Sequence, residues 1–225
     1  MPPLLSAAAA MTAAHIRAAE ASAMRTISVR TLMARAADAV AAESEAILAE
    51  RVGRIRGARV VVLAGPGNNG GDAMLAGARL HYRGAEVTVV TMDERAHPDG
   101  LGECLAAGTG VIRADAHLAL ATQALARAHL VIDGIVGIGA RPGLRSPAAE
   151  LVAAIPGSVA VLAVDIPSGV DVDSGALGGL HVRADVTVTF TAPKPCLVTQ
   201  PAAASAGRVV VADVGVQRTP ATADL

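Results

Sequence analysis

The sequence feature that most constrains the fold of this chain is a regular alternation of strand-like and helix-like segments, which begins at Arg59. Short runs of β-branched and other apolar residues predict seven strands, at residues 59–64, 85–91, 110–113, 129–133, 158–164, 183–191 and 207–213. The first five runs are almost wholly apolar, which predicts strands that are buried on both faces. Helical spacing predicts six helices, at residues 11–24, 28–50, 70–83, 99–108, 115–128 and 146–155. Because strands alternate with helices, we expect an α/β fold with a parallel, doubly wound sheet.

The length and the two ends of the chain suggest one domain with short flanking segments. A chain of 225 residues is long enough to form one sizeable core. Residues 1–10 are apolar but lack the basic segment of a secretory signal, so we expect a flexible extension. Residues 217–225 are rich in Pro, Thr and Ala and are expected to be a tail or the beginning of a linker.

Composition excludes several classes of function. Tyr82 and Phe190 are the only aromatic residues, and the formal net charge is -1, so neither base stacking nor a basic field favours nucleic-acid binding. No run of about 18 apolar residues predicts a membrane span. The two cysteines, Cys104 and Cys196, predict buried thiols in a reducing compartment, and we expect a cytoplasmic protein.

The most informative segment is the glycine-rich loop Gly65–Asp72, with the sequence GPGNNGGD, between the first of these strands and a helix. Glycines allow close approach of a ligand, and the free amides of a helix start favour a phosphate. Gly65, Gly67 and Gly70 also match the G-x-G-x-x-G spacing of dehydrogenases, with Asp93 after the next strand as a possible ribose-binding acid. Asp72 argues against that reading, because a carboxylate in the first helical turn would repel pyrophosphate unless a cation intervenes.

Two more polar loops follow apolar strands, at residues 133–143 and 164–171. Because ligands of open α/β sheets bind beyond the carboxyl ends of the strands, we expect the three loops to converge. The polar residues expected along this rim are Asn68, Asn69, Asp72, Asp133, Asp165 and Ser168. Oxygen ligands favour a hard cation, and the six scattered histidines argue against zinc. Alternatively, Asp133 only caps its loop. Lys194, after a later strand, either reaches a ligand phosphate or is solvated.

The three loops and an early Leu32-Met33 helix resemble the NAD(P)H-hydrate epimerase family, the YjeF amino-terminal domain, over about residues 11–216. The resemblance implies a three-layer α/β/α Rossmann-like sandwich, a homodimer, and interconversion of the R and S forms of NADHX and NADPHX. It implies potassium (K+) held by Asn69, Asp133 and Ser168. The residues that it implies for substrate binding are Asn68, Asn69, Gly70, Gly71, Asp72, Gly137, Ile138, Gly139, Ala140, Arg141, Pro142, Gly143 and Asp165.

Several positions depart from the family pattern. Ala34 and Ala37 replace an acid and a glycine of the early helix, which lies near the dimer contact of the family. Ala73 replaces a glycine, and Ile138 replaces a threonine hydroxyl that could touch phosphate. Members of this family often continue into an ATP- or ADP-dependent dehydratase domain, which is therefore the expected functional partner.

The hypothesis for the chemistry gives Asp165 the role of the acid/base that gives and takes a proton. The substrate carbon beside the ring nitrogen would then be inverted by ring opening, or by loss and return of its hydroxyl. Two alternatives remain: an NAD-dependent oxidoreductase that uses Gly65, Gly67 and Gly70, and a catalytically silent scaffold or binding protein on the same fold. Retention of the rim acids argues against the scaffold.

Overall fold

The computed structural model describes residues 6–139 and 142–217, the side chain of Ala8 excepted. Every predicted strand and helix is present to within three residues. The strands are β1 Arg59–Ala64, β2 Glu86–Thr91, β3 Gly110–Arg113, β4 Leu130–Gly134, β5 Ala160–Val164, β6 Val186–Phe190 and β7 Arg208–Ala212. The helices are α1 Ala13–Ala23, α2 Val29–Val52, α3 Asn68–Tyr82, α4 Pro98–Ala107, α5 Ala114–Ala126 and α6 Ala148–Ala153.

The seven strands form a single sheet in the order β3-β2-β1-β4-β5-β6-β7. All six pairings are parallel, so the predicted doubly wound sheet is confirmed. The strand order reverses between β1 and β4. That switch point opens a crevice at the carboxyl ends of these strands, where ligands of such sheets bind.

Alternate residues of the strands pack into the two outer layers, which confirms the three-layer sandwich. Val60 and Val62 of β1 share a core with residues of α2, α3 and α4. Val61 and Leu63 of the same strand share the opposite core with residues of α5 and α6. This division follows from the two-residue period of a strand, whose successive side chains point to opposite faces.

Strand β3 is an exception to the predicted burial on both faces. Three of its four residues are exposed and only Ile112 is half-buried. The strand lies at the edge of the sheet and pairs only with β2. Its apolar sequence resembles that of a central strand, but strand order is decided by long-range packing.

Both thiols are free and buried, as predicted. Within residues 6–139 and 142–217, no helix has the length and apolar character that crossing a membrane requires.

Candidate active site

The turn between β1 and α3 needs its glycines for two different reasons. A Cβ on Gly65 would collide with the carbonyl oxygen of Ile135, and a Cβ on Gly70 would collide with the carbonyl oxygen of Gly65. These two glycines therefore allow the backbones of neighbouring loops to touch. A Cβ on Gly67 would meet no atom of another segment within 4 Å in the described part of the chain, so this residue leaves space for a ligand.

Helix α3 begins at Asn68 without a side-chain cap, because its N-cap residue is Gly67. The amides of a first helical turn have no partner within the helix and attract anions. Asp72 is the fifth residue of this helix. The expectation that its carboxylate occupies the first turn, where it would repel a phosphate, is therefore wrong.

A cavity of about 500 Å³ opens at the carboxyl ends of β1, β4 and β5. It brings together many of the residues singled out from the sequence. The lining residues are Glu20, Pro66, Gly67, Asn68, Asn69, Asp72, Ile135, Val136, Gly137, Ile138, Gly139, Asp165 and Phe190.

Some of the expected site residues lie elsewhere. Gly71 faces the side chains of Met33 and His97, and Gly70 packs against Gly65. Pro142 and Gly143 line a neighbouring cavity. Ala140 and Arg141 lie outside the described residues.

The sequence predicted that Asp133 and Ser168 lie along the rim of the cavity. In the structure both are fully buried and do not line it. The hydroxyl of Ser168 donates to Asp133 Oδ1 at 2.7 Å, and its amide donates to Asp133 Oδ2 at 2.8 Å. The amide of Ile135 also donates to Oδ1. Burial raises the pKa of Asp133 to about 6, partly opposed by these hydrogen bonds.

The donor set around Asp133 fits a hard cation. Within residues 6–139 and 142–217, no basic side chain is a hydrogen-bond partner of this carboxylate. The Ser168 hydroxyl is 3.2 Å from the carbonyl oxygen of Val136. The Asn69 side chain lies against Gly137 of the same loop. Carboxylate, hydroxyl, amide and carbonyl oxygens together are typical ligands of alkali and alkaline-earth ions.

Asp165 follows β5 in a left-handed backbone conformation, with a φ of 68°. Non-glycine residues seldom adopt this conformation, and it costs on the order of 1–3 kcal/mol. Lys194 Nζ donates to Asp165 Oδ1 at 2.5 Å, and the Thr189 hydroxyl donates to the same oxygen at 3.1 Å. The strained turn therefore places a firmly held carboxylate in the cavity.

Lys194 takes neither of the two roles expected from the sequence, which were contact with a ligand phosphate and exposure to solvent. Its side chain is 1% exposed, so it is not solvated. Its ammonium group also donates to the Thr189 hydroxyl at 2.8 Å and to the carbonyl oxygen of Phe190 at 2.9 Å. With Asp165, these partners use all three N–H bonds of a lysine, which leaves none to reach a phosphate.

Asp72 presents a second buried carboxyl group to the cavity. Burial raises its pKa well above the usual range, the charges of Asp165 and Glu20 add to this, and Arg79 opposes it. Among the described residues, no partner reaches Asp72 Oδ1 or Asn69 Nδ2, although both atoms are buried. Both polar atoms are therefore available to a ligand.

Helix α1 contributes one cavity residue, and one residue that contacts the cavity loop, which sequence reasoning missed. Glu20 lines the cavity, and its pKa is raised by burial first and then by the charge of Asp165. Arg17 donates to the carbonyl oxygen of Ile138 at 2.9 Å. The helix is held by hydrogen bonds from Met11 to Pro193 and from Ala13 to Asp173. No local pattern reveals these contacts, because they depend on residues more than 100 positions away.

Asp93, the possible ribose-binding acid, does not line this cavity. Its carboxylate pairs with Arg95 at 2.6 Å, and hydrogen bonds from Arg95 lower the pKa of Asp93. Asp93 lines the neighbouring cavity instead. The glycine spacing alone therefore does not reproduce the full dehydrogenase arrangement in the cavity at the switch point.

The fold and the cavity at its switch point define a Rossmann-like α/β protein with an acidic ligand site. A model of the family described as YjeF-related protein N-terminus matches residues 29–196. The chain belongs to this family.

Several curated relatives carry names that describe one reaction. An NAD(P)H-hydrate epimerase of Clavibacter michiganensis is 47% identical, over 72% of this chain and 75% of its own length. A bifunctional NAD(P)H-hydrate repair enzyme Nnr of Mycobacterium tuberculosis is 40% identical over 75% of this chain, which covers 33% of that enzyme. The crystal structure of the yeast protein ynu0, YNL200c, is 22% identical with a TM-score of 0.75, covers 90% of this chain and 86% of its own, and supports the fold.

Proposed function

We propose that this protein is an NAD(P)H-hydrate epimerase, which interconverts the R and S forms of NADHX and NADPHX. The names of its relatives support this reaction. The observation that carries the proposal is Asp165, a buried and firmly held carboxylate that lines the same cavity as the open start of α3. An acid/base group and an anion-binding helix start are the two features that a nucleotide epimerase needs.

Asp165 is proposed to move the proton of the reaction. In one route it accepts the proton of the substrate hydroxyl, a carbonyl group forms, and the ring C–N bond breaks with its electron pair passing to nitrogen. Asp165 gives the proton to that nitrogen. Ring closure on the other face reverses these transfers: the nitrogen attacks the carbonyl carbon, Asp165 removes the N–H proton, and the proton passes to the former carbonyl oxygen, which gives the epimer. In the other route, the hydroxyl leaves as water after protonation, and water adds to the opposite face and returns the proton.

The two ends of the substrate are proposed to bind at two segments of the chain, the start of α3 and the loop Gly137–Gly139. The backbone N–H groups of Asn68 and Asn69 at the start of α3 donate to a phosphate group of the substrate, and Gly67 leaves room for it. Arg17, which donates to the loop Gly137–Gly139, supplies positive charge near the substrate. The three charged residues that line the cavity in the described part of the chain are all acids and cannot do so. Holding the substrate at both ends restricts its ring to orientations near Asp165.

Potassium is the proposed metal ion, held by Asn69, Asp133 and Ser168. When bound, the ion supplies positive charge beside a carboxylate that is 0% exposed and would otherwise be costly to ionise. The three residues come from three different segments at the carboxyl ends of β1, β4 and β5, so a shared ion would hold these segments together around the cavity.

The test is an assay on a mixture of NADHX epimers with an excess of purified dehydratase that consumes only the S form. An epimerase accelerates clearance of the residual R form, whereas a silent scaffold leaves the uncatalysed rate unchanged. An oxidoreductase would instead change the nicotinamide absorbance in the presence of an oxidisable substrate. Repeating the assay with NADPHX measures the preference between the two hydrates.

A dehydratase is also the proposed functional partner. Bifunctional relatives carry the name repair enzyme, and this chain spans about a third of their length. We further propose a homodimer, which sedimentation at several protein concentrations tests directly.

A further inference from the structure

We infer that Lys194 is a positioning residue for the reaction, acting through Asp165, and that Thr189 completes its contact. This inference rests on the proposed epimerase function. It concerns how the proposed acid/base group is oriented, because neither Lys194 nor Thr189 lines the cavity.

The geometry joins three residues from two strand ends. Lys194 Nζ donates to Asp165 Oδ1 and to Thr189 Oγ1, and the Thr189 hydroxyl donates in turn to Asp165 Oδ1. Among the residues that the structure describes, both hydrogen bonds that the Asp165 carboxylate accepts therefore end on one oxygen. The other oxygen, Oδ2, is left to serve the substrate, and its direction is fixed because the carboxylate cannot rotate without breaking both bonds.

Burial makes this arrangement more than a surface ion pair. The side chains of Lys194 and Asp165 are 1% and 12% exposed, so solvent screens their attraction little. A third bond, from Lys194 to the Phe190 carbonyl oxygen, fixes the ammonium group to the end of β6. Asp165 is further held by its amide, which donates to Val188 of the same strand at 2.7 Å.

Other charged groups near Asp165 do not provide this function. Glu20 on α1 and Asp72 on α3 are acids that repel its charge. The Cys196 thiol, close to both Asp165 and Lys194, has a pKa raised to about 12 by burial and is neutral. Lys194 is thus the cation within hydrogen-bond distance of Asp165 in the described part of the chain.

The experiment compares wild type with Lys194→Met, Thr189→Val and Thr189→Ser. In Lys194→Met we expect kcat to fall about 100-fold with little change in KM, since misplacement of a catalytic group costs rate and not binding. Thr189→Val should lower kcat about 10-fold, the effect of one lost hydrogen bond, and Thr189→Ser should recover most of that loss.

Thr187→Val is the matched control. Thr187 is buried on the same strand and donates to the Ala206 carbonyl oxygen at 2.7 Å, without contact to Asp165. It should lower the unfolding temperature without altering kcat per folded molecule. A purely structural role for Lys194 would give the same result for Lys194→Met.

A double-mutant cycle with Asp165→Asn separates the remaining outcomes. If Lys194 acts through Asp165, Asp165→Asn/Lys194→Met has the rate of Asp165→Asn alone, to within about twofold. If the losses of the two single variants multiplied in the double variant, the inference would be overturned. Unchanged kcat in both Lys194→Met and Thr189→Val would overturn it as well. If Lys194→Met does not fold, the two Thr189 variants decide the question alone. A wild-type protein without epimerase activity would overturn the proposed function, and this inference with it.

Discussion

Asp133 and Ser168 are joined by two hydrogen bonds, one from the serine hydroxyl and one from its amide, at 2.7 and 2.8 Å. The two residues are 35 positions apart: Asp133 lies in β4, and Ser168 follows the neighbouring strand, β5. Together with Val136 and Asn69 they bring the three loops of the cavity into contact. The contact is wholly buried, so its stability depends on how the negative charge of Asp133 is compensated.

Potassium should stabilise the protein through this cluster. Binding to the folded state alone raises the free energy of unfolding, by about 2.7 kcal/mol at 100 times the dissociation constant. We expect the unfolding temperature to rise in potassium chloride relative to tetramethylammonium chloride of equal ionic strength. Asp133→Asn should remove this difference, and an identical response of the variant and wild type would exclude Asp133 as a ligand.

Replacement of Asp165 by Asn should stop most turnover while leaving substrate binding measurable. The loss expected on removing a positioned acid/base is about 100- to 10,000-fold in kcat. The change also leaves buried Lys194 without its counter-charge, and breaking such a pair lowers the free energy of unfolding by about 3–5 kcal/mol. Steady-state kinetics and chemical unfolding measure the two effects, with the exposed Asp99→Asn as control. Wild-type turnover in Asp165→Asn would show that another group moves the proton.

Gly65 and Gly67 should respond differently to alanine. Gly65→Ala places a methyl group against the Ile135 carbonyl oxygen and should lower the free energy of unfolding by about 1–3 kcal/mol. Among the described residues, the added carbon of Gly67→Ala meets no atom of another segment within 4 Å, so stability should fall by no more than about 1 kcal/mol, the usual cost of alanine at an N-cap. If this space holds the substrate, Gly67→Ala raises KM. An unchanged KM would mean that the ligand approaches the start of α3 from elsewhere.

Arg17 should contribute to substrate affinity although it lies outside the residues matched by the family model. Arg17→Met keeps the apolar stem and removes the donor to Ile138 together with the positive charge beside the loop. We expect KM to rise about 10-fold with kcat nearly unchanged, because a hydrogen bond from a charged group contributes about 1.5–3 kcal/mol. Arg25→Met, on an exposed position after α1, is the control. Equal KM values for both variants would remove Arg17 from the binding site.

The two thiols should be inert in the folded protein. Burial raises the pKa of Cys104 to about 11 and that of Cys196 to about 12, from 9.0 in each case. At pH 8 we expect negligible reaction with a disulfide reagent until the protein is unfolded, when both react. Since the unfolded thiols ionise first, stability falls as pH rises from about 9 toward 11, and alanine at either position should reduce this dependence. Fast labelling of native protein would show that the thiols are accessible.

The local pattern of the chain was enough to predict the elements and the loops, because strand and helix periodicities depend on neighbouring residues. The glycines of Gly65–Asp72 and the acids after β4 and β5 likewise indicated the edge of the sheet where the cavity lies. The order of strands was not readable, so the edge position of β3 was missed. Its composition resembles that of a central strand, and only its missing neighbour makes it exposed.

Side-chain partners across long separations were decided by the tertiary structure alone. Sequence placed Asp133 on the rim, but packing buried it with Ser168. The sequence allowed Lys194 either to reach a ligand phosphate or to be solvated, but in the folded protein it pairs with Asp165 in the interior. The sequence of helix α1 gave no sign that Glu20 lines the cavity or that Arg17 contacts the loop at Ile138. Hydrophobic periodicity is a local property, because it depends only on residues close together in the sequence. The pairing of charged groups instead depends on which segments the folded core brings within a few ångströms of each other.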